Sequence, residues 1–197
     1  GTINTPDKKI YGWTGNGYLR LYNQVKATDT VSLFPLNTNT NYHVGAASFT
    51  ADGNTTYFTL TRIPNKLEKP KGKPSTINVE IFSSVKENGT WSKPTAFNYN
   101  DVNNYSVGDP FISKDGTRLY FASNMPGGRG GTDLYVCMKT DAGEWSRPIN
   151  LQDVNTQGNE RSPVIAQNNK FYFASDGRIG MGGLDVFRAV MKDGQIT

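Results

Sequence analysis

Reactive side chains are scarce in this chain. Its 197 residues include one histidine, His43, and one cysteine, Cys137. A metal site of the usual imidazole or thiolate type needs several such ligands, so no metal and no cofactor is expected. His43 has no activated nucleophile beside it in sequence, which leaves a surface or packing role as its ordinary reading against that of a catalytic base. A lone cysteine excludes an intrachain disulfide and fits cytosol and periplasm alike. Gly-x-Ser-x-Gly is missing, and Gly72-Lys73-Pro74-Ser75 lacks the upstream glycine of a phosphate loop and has proline where its helix should start. No run of 18 apolar residues occurs, so no membrane-spanning helix is encoded. No leader segment is visible at Gly1, which a processed chain would have lost. No window of eleven residues sustains a 3.6-residue apolar period, so helix is not expected either.

Charge is modest as well. The net value of +4 is largely local, because Arg62, Lys66, Lys69, Lys71 and Lys73 face only Glu68 within one stretch. A nucleic-acid binder spreads basic residues over a face and interleaves aromatics for stacking, and this stretch has prolines and no aromatic. It reads as a solvated insertion, with Lys69, Lys71 and Lys73 as the residues it would offer to an anionic partner. Nucleic acid is not an expected partner.

What the chain has in abundance is glycine (21), aromatics (12%) and repetition. The stretch DPFISKDGTRLYFASNMPGGRGGTDLYVCMKTDAGEWSRPINL, Asp109 to Leu151, has a second copy in FYFASDGRIGMGGLDVFRAVMKDGQ. Tyr120 to Ser123 match Tyr172 to Ser175, and Gly130, Gly131, Asp133, Leu134 and Tyr135 match Gly182, Gly183, Asp185, Val186 and Phe187 at one constant offset. Upstream, Asp52-Gly53 matches Asp115-Gly116, Tyr57-Phe58 matches Tyr120-Phe121, and Glu87 to Pro94 echoes Thr140 to Pro148. A period of roughly 50 residues points to a propeller or a solenoid.

Each copy divides into four short β pieces. In the best copy these are Pro110–Ser113, Arg118–Ser123, Asp133–Met138 and Trp145–Leu151. Asp115-Gly116 reads as a type I′ hairpin turn, with φ > 0 at both central residues. Pro148 suits an edge strand, where a missing N–H breaks no ladder bond. Four antiparallel strands per repeat make one propeller blade. The expected fold is therefore an all-β propeller forming a single domain over residues 1–197. Its blades fall near 1–42 (partial), 43–104, 105–154 and 155–197 (partial). Within the first, Lys9–Trp13, Tyr18–Gln24 and Val31–Leu36 are the candidate strands. In the last, the turn falls at Asn168-Asn169 and the Trp-Ser-x-Pro strand is missing. These ends read as those of a segment of a longer propeller, which by itself would aggregate, oligomerise or pair with another chain.

The pattern DGTRLYFAS…GGTDLYV…EWSRPINL resembles the WD-40-like or TolB-like β-propeller repeat. Its Gly-Gly-x-Asp-Leu-Tyr and Glu-Trp-Ser-x-Pro forms are similar to those of Gram-negative envelope proteins that carry an OmpA-type peptidoglycan-binding domain. The likeness covers Val107 to Gln195 well and His43 to Asn103 less well. It implies a periplasmic, outer-membrane-associated binding or scaffold module without catalysis. Its partners would be envelope or secretion-machinery proteins or a glycan, with peptidoglycan gripped by a domain outside these residues.

Four further readings concern particular residues. Asp133 and Asp185 are either ligands or acceptors for the N–H groups of their own Gly-Gly loops, and repetition in successive blades favours the second. Trp91 and Trp145 read as packing between blades. The Gly-rich loops Asn124–Thr132 and Asp176–Leu184 present Arg129, Arg178, Met125 and Met181, with Tyr105 nearby, as candidate binding residues. The rival classes are a glycosidase using Asp109 and Glu160, which both precede inner strands, and a TolB-like or peptidase-associated propeller lacking its partner domain.

Overall fold

The computed structural model describes residues 17–24, 30–39, 41–62, 77–166, 169–192 and 195–196. Among the described residues the regular structure is β-strand alone, joined by turns, bends and irregular segments. The candidate strand 9–13, the insertion lysines Lys69, Lys71 and Lys73, and Asn168 lie outside the described residues.

A short hairpin comes first, β1 (Tyr22–Gln24) against β2 (Val31–Leu33). The second sheet is β3 (His43–Phe49), β4 (Thr55–Thr61) and β5 (Glu80–Glu87), with β6 (Thr90–Trp91) and β7 (Thr95–Ala96) both paired to the outer side of β5. The third is β8 (Val107–Ile112), β9 (Arg118–Ser123), β10 (Asp133–Met138) and β11 (Ile149–Asn150). The fourth is β12 (Glu160–Ile165), β13 (Lys170–Ser175), β14 (Asp185–Lys192) and β15 (Gln195–Ile196). Every pairing between these strands is antiparallel, and all but that of β5 with β7 join consecutive strands, so each sheet is in essence a meander. The meanders stack face to face with β3, β8 and β12 as neighbouring inner strands. The architecture is that of a β-propeller.

The blades are held together by apolar faces, as two-layer packing of pleated sheets requires. Between the second and third sheets lie Tyr57, Ile81 and Phe97 on one side and Ile112, Leu119, Phe121, Tyr135 and Cys137 on the other. Between the third and fourth lie Tyr120, Leu134, Val136 and Val154 against Phe171, Phe173 and Ile196. The period-2 alternation of β9 and β10 explains this division. Leu119 and Phe121 point to one neighbour and Tyr120 and Ala122 to the other. Burying one such large side chain stabilises the fold by about 1.5–3 kcal/mol. Trp145 meets Tyr57 edge-on at 5.9 Å, and Trp91 packs on Phe34 at 5.4 Å, each reaching the preceding sheet.

Several details depart from the sequence reading. At Asp52-Gly53 and Asp115-Gly116 only the glycines have positive φ (69° and 71°), so these are not type I′ turns. They are four-residue loops closed by Thr50 N–H to Thr55 O and by Ser113 N–H to Arg118 O. The aspartate carboxylate accepts from Thr50 Oγ1 (2.6 Å) or Ser113 Oγ and from the N–H two residues on, which selects the longer loop. The two-residue Asn-Gly turn appears instead at Asn88-Gly89, where φ is 50° and 82°. β1 and β2 are shorter than Tyr18–Gln24 and Val31–Leu36. The outer strand of the third sheet shrinks to Ile149–Asn150, with Trp145 joined through a single bridge to Lys139. The fourth sheet has the start of an outer strand after all. Ile196 pairs with Met191 as Trp91 pairs with Lys86 and Trp145 with Lys139, so an isoleucine stands in the tryptophan position.

Candidate functional site

The inner strands share one irregularity. Each carries a bulge after its second residue, between Val44 and Ala47, Gly108 and Phe111, and Arg161 and Val164. A bulge adds one residue, bends the strand and re-aims a side chain. In β8 and β12 the extra residues are Asp109 and Ser162, at φ 51° and 53°. A non-glycine residue held there costs on the order of 1–3 kcal/mol, and such residues gather at functional sites. The freed N–H groups are satisfied across the blades, Asp109 N–H by Thr59 Oγ1 (3.0 Å) and Ile112 N–H by Ser48 Oγ (3.0 Å).

The re-aimed side chains meet at the axis. Asp109 Oδ2 accepts from Arg161 Nε, from Ser162 N–H (both 3.2 Å) and from Ser162 Oγ (3.4 Å). This ion pair stands at the side of a groove of about 400 Å³ that crosses all three inner strands. Ala47 and Phe49 of β3, Pro110 and Phe111 of β8, and Pro163 and Val164 of β12 make its walls. Phe49 (38%) and Val164 (44%) are substantially exposed there. The groove thus offers an apolar trench lined by one carboxylate, Asp109, and two hydroxyls, Ser48 and Ser162, with the Arg161 guanidinium bound to the carboxylate, a set suited to orienting a ligand.

Glu160 does not reach this groove. It is fully buried, and its carboxylate accepts from Thr156 N–H (2.8 Å), Thr156 Oγ1 (2.6 Å) and Ser175 Oγ (2.6 Å). It clamps the crossing between sheets to β12 and β13. Asp109 and Glu160 are therefore not brought together as a pair facing one cavity, and Asp109 lies within its inner strand rather than before it.

The loop residues have other duties. Arg129 Nη1 donates to Gln152 O (3.1 Å) and Asn155 O (3.0 Å). Arg178 donates to Val154 O (2.8 Å) and lies over the rings of Phe173 and Phe187 at 5.4 and 5.9 Å. Both guanidinium groups thus anchor their loops to one crossing segment. Tyr105 donates to Tyr99 O (3.1 Å) and packs with Met125 against the core between the second and third sheets. Burial raises the Tyr105 phenol above its usual range, with the nearby Asp101 charge adding to the effect. Met181 and its neighbour Ile179 are fully exposed.

Asp133 takes the N–H groups of Arg129 and Gly130 and the amide of Asn150 (2.9 Å). Asp185 takes those of Met181 (2.8 Å) and Gly182 (3.2 Å). Glu80, at the corresponding position of the second sheet, instead receives both prongs of Arg62 at 2.6 and 2.7 Å. Arg62 also covers the Phe82 ring at 5.2 Å, so this member of the basic stretch is paired rather than solvated. Its hydrogen bond to Glu80 raises the guanidinium pKa further. His43 accepts from Leu19 N–H at Nδ1 (3.1 Å) and lies 4.9 Å from the Tyr18 ring. Burial first and the Arg20 charge second lower its pKa below 6.5. Among the described residues no group of three or more His, Cys, Asp or Glu could hold a metal ion, and no helix is long and apolar enough to cross a membrane.

Arg161, Ser162, Phe111 and the two prolines were missed in sequence. The available signal was the Asp-Pro and Ser-Pro pair at matching points of β8 and β12. Neither dipeptide announces a bulge.

No family model and no curated protein matches this chain. Among solved structures it is similar to a puromycin-hydrolyzing peptidase of Mycobacterium tuberculosis, with 13% identity over 93% of this chain and 27% of that one and a TM-score of 0.53. It is also similar to a putative TolB from Agrobacterium tumefaciens, with 16% identity, coverage of 82% and 50%, and a TM-score of 0.49. A prolyl endopeptidase structure is a further match, at 12% identity, 85% and 30% coverage and a TM-score of 0.38. The chain spans half or less of each of these proteins. What the likeness to the peptidase shows at such identity is the fold.

Proposed function

We propose that this chain is a non-catalytic binding propeller of a bacterial cell envelope, TolB-like in kind, which docks a partner along its axial groove. The observation that carries this reading is the groove itself, an apolar trench across three inner strands whose one ion pair, Asp109 with Arg161, sits at the bulges. A carboxylate held by a guanidinium and a backbone N–H is a fixed acceptor suited to orienting a ligand. Glu160, locked under three hydrogen bonds, is a structural clamp. The periplasm, the outer membrane and an OmpA-type companion that would grip peptidoglycan complete the proposal, on the strength of the repeat's Gly-Gly-x-Asp-Leu-Tyr and Trp-Ser-x-Pro forms. The partner would be an envelope or secretion-machinery protein, with a glycan as the other ligand class.

A photo-reactive residue at Phe49 or Val164 should crosslink one envelope component, and Asp109→Asn should weaken that adduct. Asparagine tolerates the same positive φ, so this change removes charge without reshaping the bulge. Glycoside and peptide substrate panels should show no turnover. Turnover that Asp109→Asn or Glu160→Gln abolishes would overturn the reading in favour of a hydrolase. A peptidase-associated role would be favoured if a separate catalytic domain gained selectivity on binding this chain.

A further inference from the structure

Four Asp-Gly or Asn-Gly pairs lie wholly among the described residues, Asp52-Gly53, Asn88-Gly89, Asp115-Gly116 and Asp176-Gly177. In such a pair the side-chain carbonyl carbon can be attacked by the N–H of the following glycine, which has no Cβ to hinder the approach. In the three Asp-Gly pairs both groups are already engaged. Asp52 accepts from Thr50 Oγ1 and Asn54 N–H, Asp115 from Ser113 Oγ and Thr117 N–H, and Asp176 from the N–H and the amide of Asn159. The glycine N–H groups donate to Thr50 O (2.9 Å), Ser113 O (2.9 Å) and Ser175 Oγ (3.2 Å) in turn.

Asn88-Gly89 is the exception. Asn88 is exposed, and neither its carboxamide nor the Gly89 N–H has a hydrogen-bond partner among the described residues. A Cβ placed on Gly89 would meet nothing within 4 Å. The turn closes only two strand pairs, Lys86 with Trp91 and Glu87 with Thr90. So few contacts let the tip open while the sheet stays folded.

We propose that Asn88-Gly89 is a self-modifying site whose only co-reactant is water. The Gly89 nitrogen forms a bond to Asn88 Cγ, the Cγ–Nδ2 bond breaks, and the Gly89 proton leaves with the amide as ammonia. Water then opens the cyclic imide at one or other carbonyl, giving aspartate or isoaspartate. Either product adds a negative charge beside Glu87. Isoaspartate also inserts a methylene into the main chain of a turn that fits only with φ at 50° and 82°. The pair next to that turn holds Trp91, which is buried and packs on Phe34 at 5.4 Å and Phe49 at 6.1 Å. The reaction is thus a slow, one-way loosening of the seam where the first hairpin meets the second sheet.

The test incubates the whole chain in mildly alkaline buffer made with heavy-oxygen water and maps its peptides by mass spectrometry. Heavy oxygen should enter at residue 88, as an aspartate and isoaspartate mixture, and not at residues 52, 115 or 176. Mapping reads Asn16-Gly17 as a separate peptide. Minor open states are typically populated at about 0.1–10%, so the folded chain should convert roughly 10- to 1,000-fold more slowly than a free peptide copying residues 85–92. Asn88→Gln, whose longer side chain disfavours the five-membered ring, should stay unlabelled. The isoaspartate fraction should melt below both wild type and Asn88→Asp, which carries the charge without the methylene. An unlabelled residue 88 after the free peptide has converted more than a thousandfold over would overturn the proposal. So would labelling of the Asp-Gly pairs at the same rate, or an isoaspartate fraction that melts with Asn88→Asp.

Discussion

Gly130 shows how little freedom single positions have where two blades touch. A Cβ there would lie 2.3 Å from Gly158 O and 2.6 Å from Thr156 O, and both are backbone atoms that cannot swing aside. The neighbouring bonds explain the closeness, since Gly131 N–H donates to Gly158 O (2.8 Å) and Glu160 N–H to Thr132 O (2.6 Å). Gly130→Ala should therefore destabilise the chain by about 1–3 kcal/mol, the usual range for overpacking. Gly127→Asn, at φ 89° with nothing near its Cβ, should cost less in the same denaturant titration. His43 makes a pH-dependent contribution. Its folded pKa lies below 6.5, so the unfolded chain takes the proton more readily. The hydrogen bond from Leu19 is fully available above about pH 6.5 and is lost as pH falls through the folded value. Melting midpoints of wild type and His43→Gln should converge between pH 7 and pH 5. A constant gap would show that the bond does not titrate.

At the scale of the element, the inner-strand hairpins rest on a repeated side-chain network. Asp115 has its pKa lowered, first by the Ser113 hydroxyl and then by the Thr117 N–H, with burial opposing. A lowered folded pKa contributes stability above the ordinary carboxylate value near 3.8 and loses it as pH falls through the folded one. Asp115→Ala should cost about 1 kcal/mol at pH 7 through lost hydrogen bonds and nothing extra at pH 2. Equal losses at both pH values would assign the effect to turn geometry alone. Asp-Gly was legible as a turn, but its type was not. The choice between a two-residue and a four-residue loop depended on whether the aspartate carboxylate could reach Thr50 or Ser113, and that follows from strand register.

At the scale of the whole molecule, stability resides between sheets rather than within them. Phe121 is fully buried, stacks on Tyr135 at 5.8 Å and meets Phe97 of the neighbouring sheet at 5.4 Å. Phe121→Ala should cost about 3–5 kcal/mol and broaden the unfolding transition, because it uncouples the second and third sheets. Val164→Ala, exposed in the axial groove, should leave the same transition within about 0.5 kcal/mol of wild type. Cys137 reports the same interface by reactivity. Burial pushes its thiol pKa up to about 12, so thiol reagents at pH 8 should label it only as fast as that interface opens.

The amino-acid sequence by itself determined the repeat, the strand-rich class and the division of apolar faces, because pleat alternation and glycine-bearing turns are local properties. It also marked Asp133 and Asp185 as repeated acceptors, since a carboxylate two residues after a glycine pair finds its partners nearby. Tertiary structure alone decided the axial groove. Asp109, Arg161 and Ser162 meet there only because two bulges, in strands about 50 residues apart, turn their side chains toward the same axis. It also decided that Glu160 is a clamp, that Arg129 and Arg178 hold a crossing, and that Ile196 fills a tryptophan's place. Each of these contacts joins residues of different blades or of a blade and its crossing. Their partners are set by how sheets stack, and a periodic pattern along one strand carries no record of that.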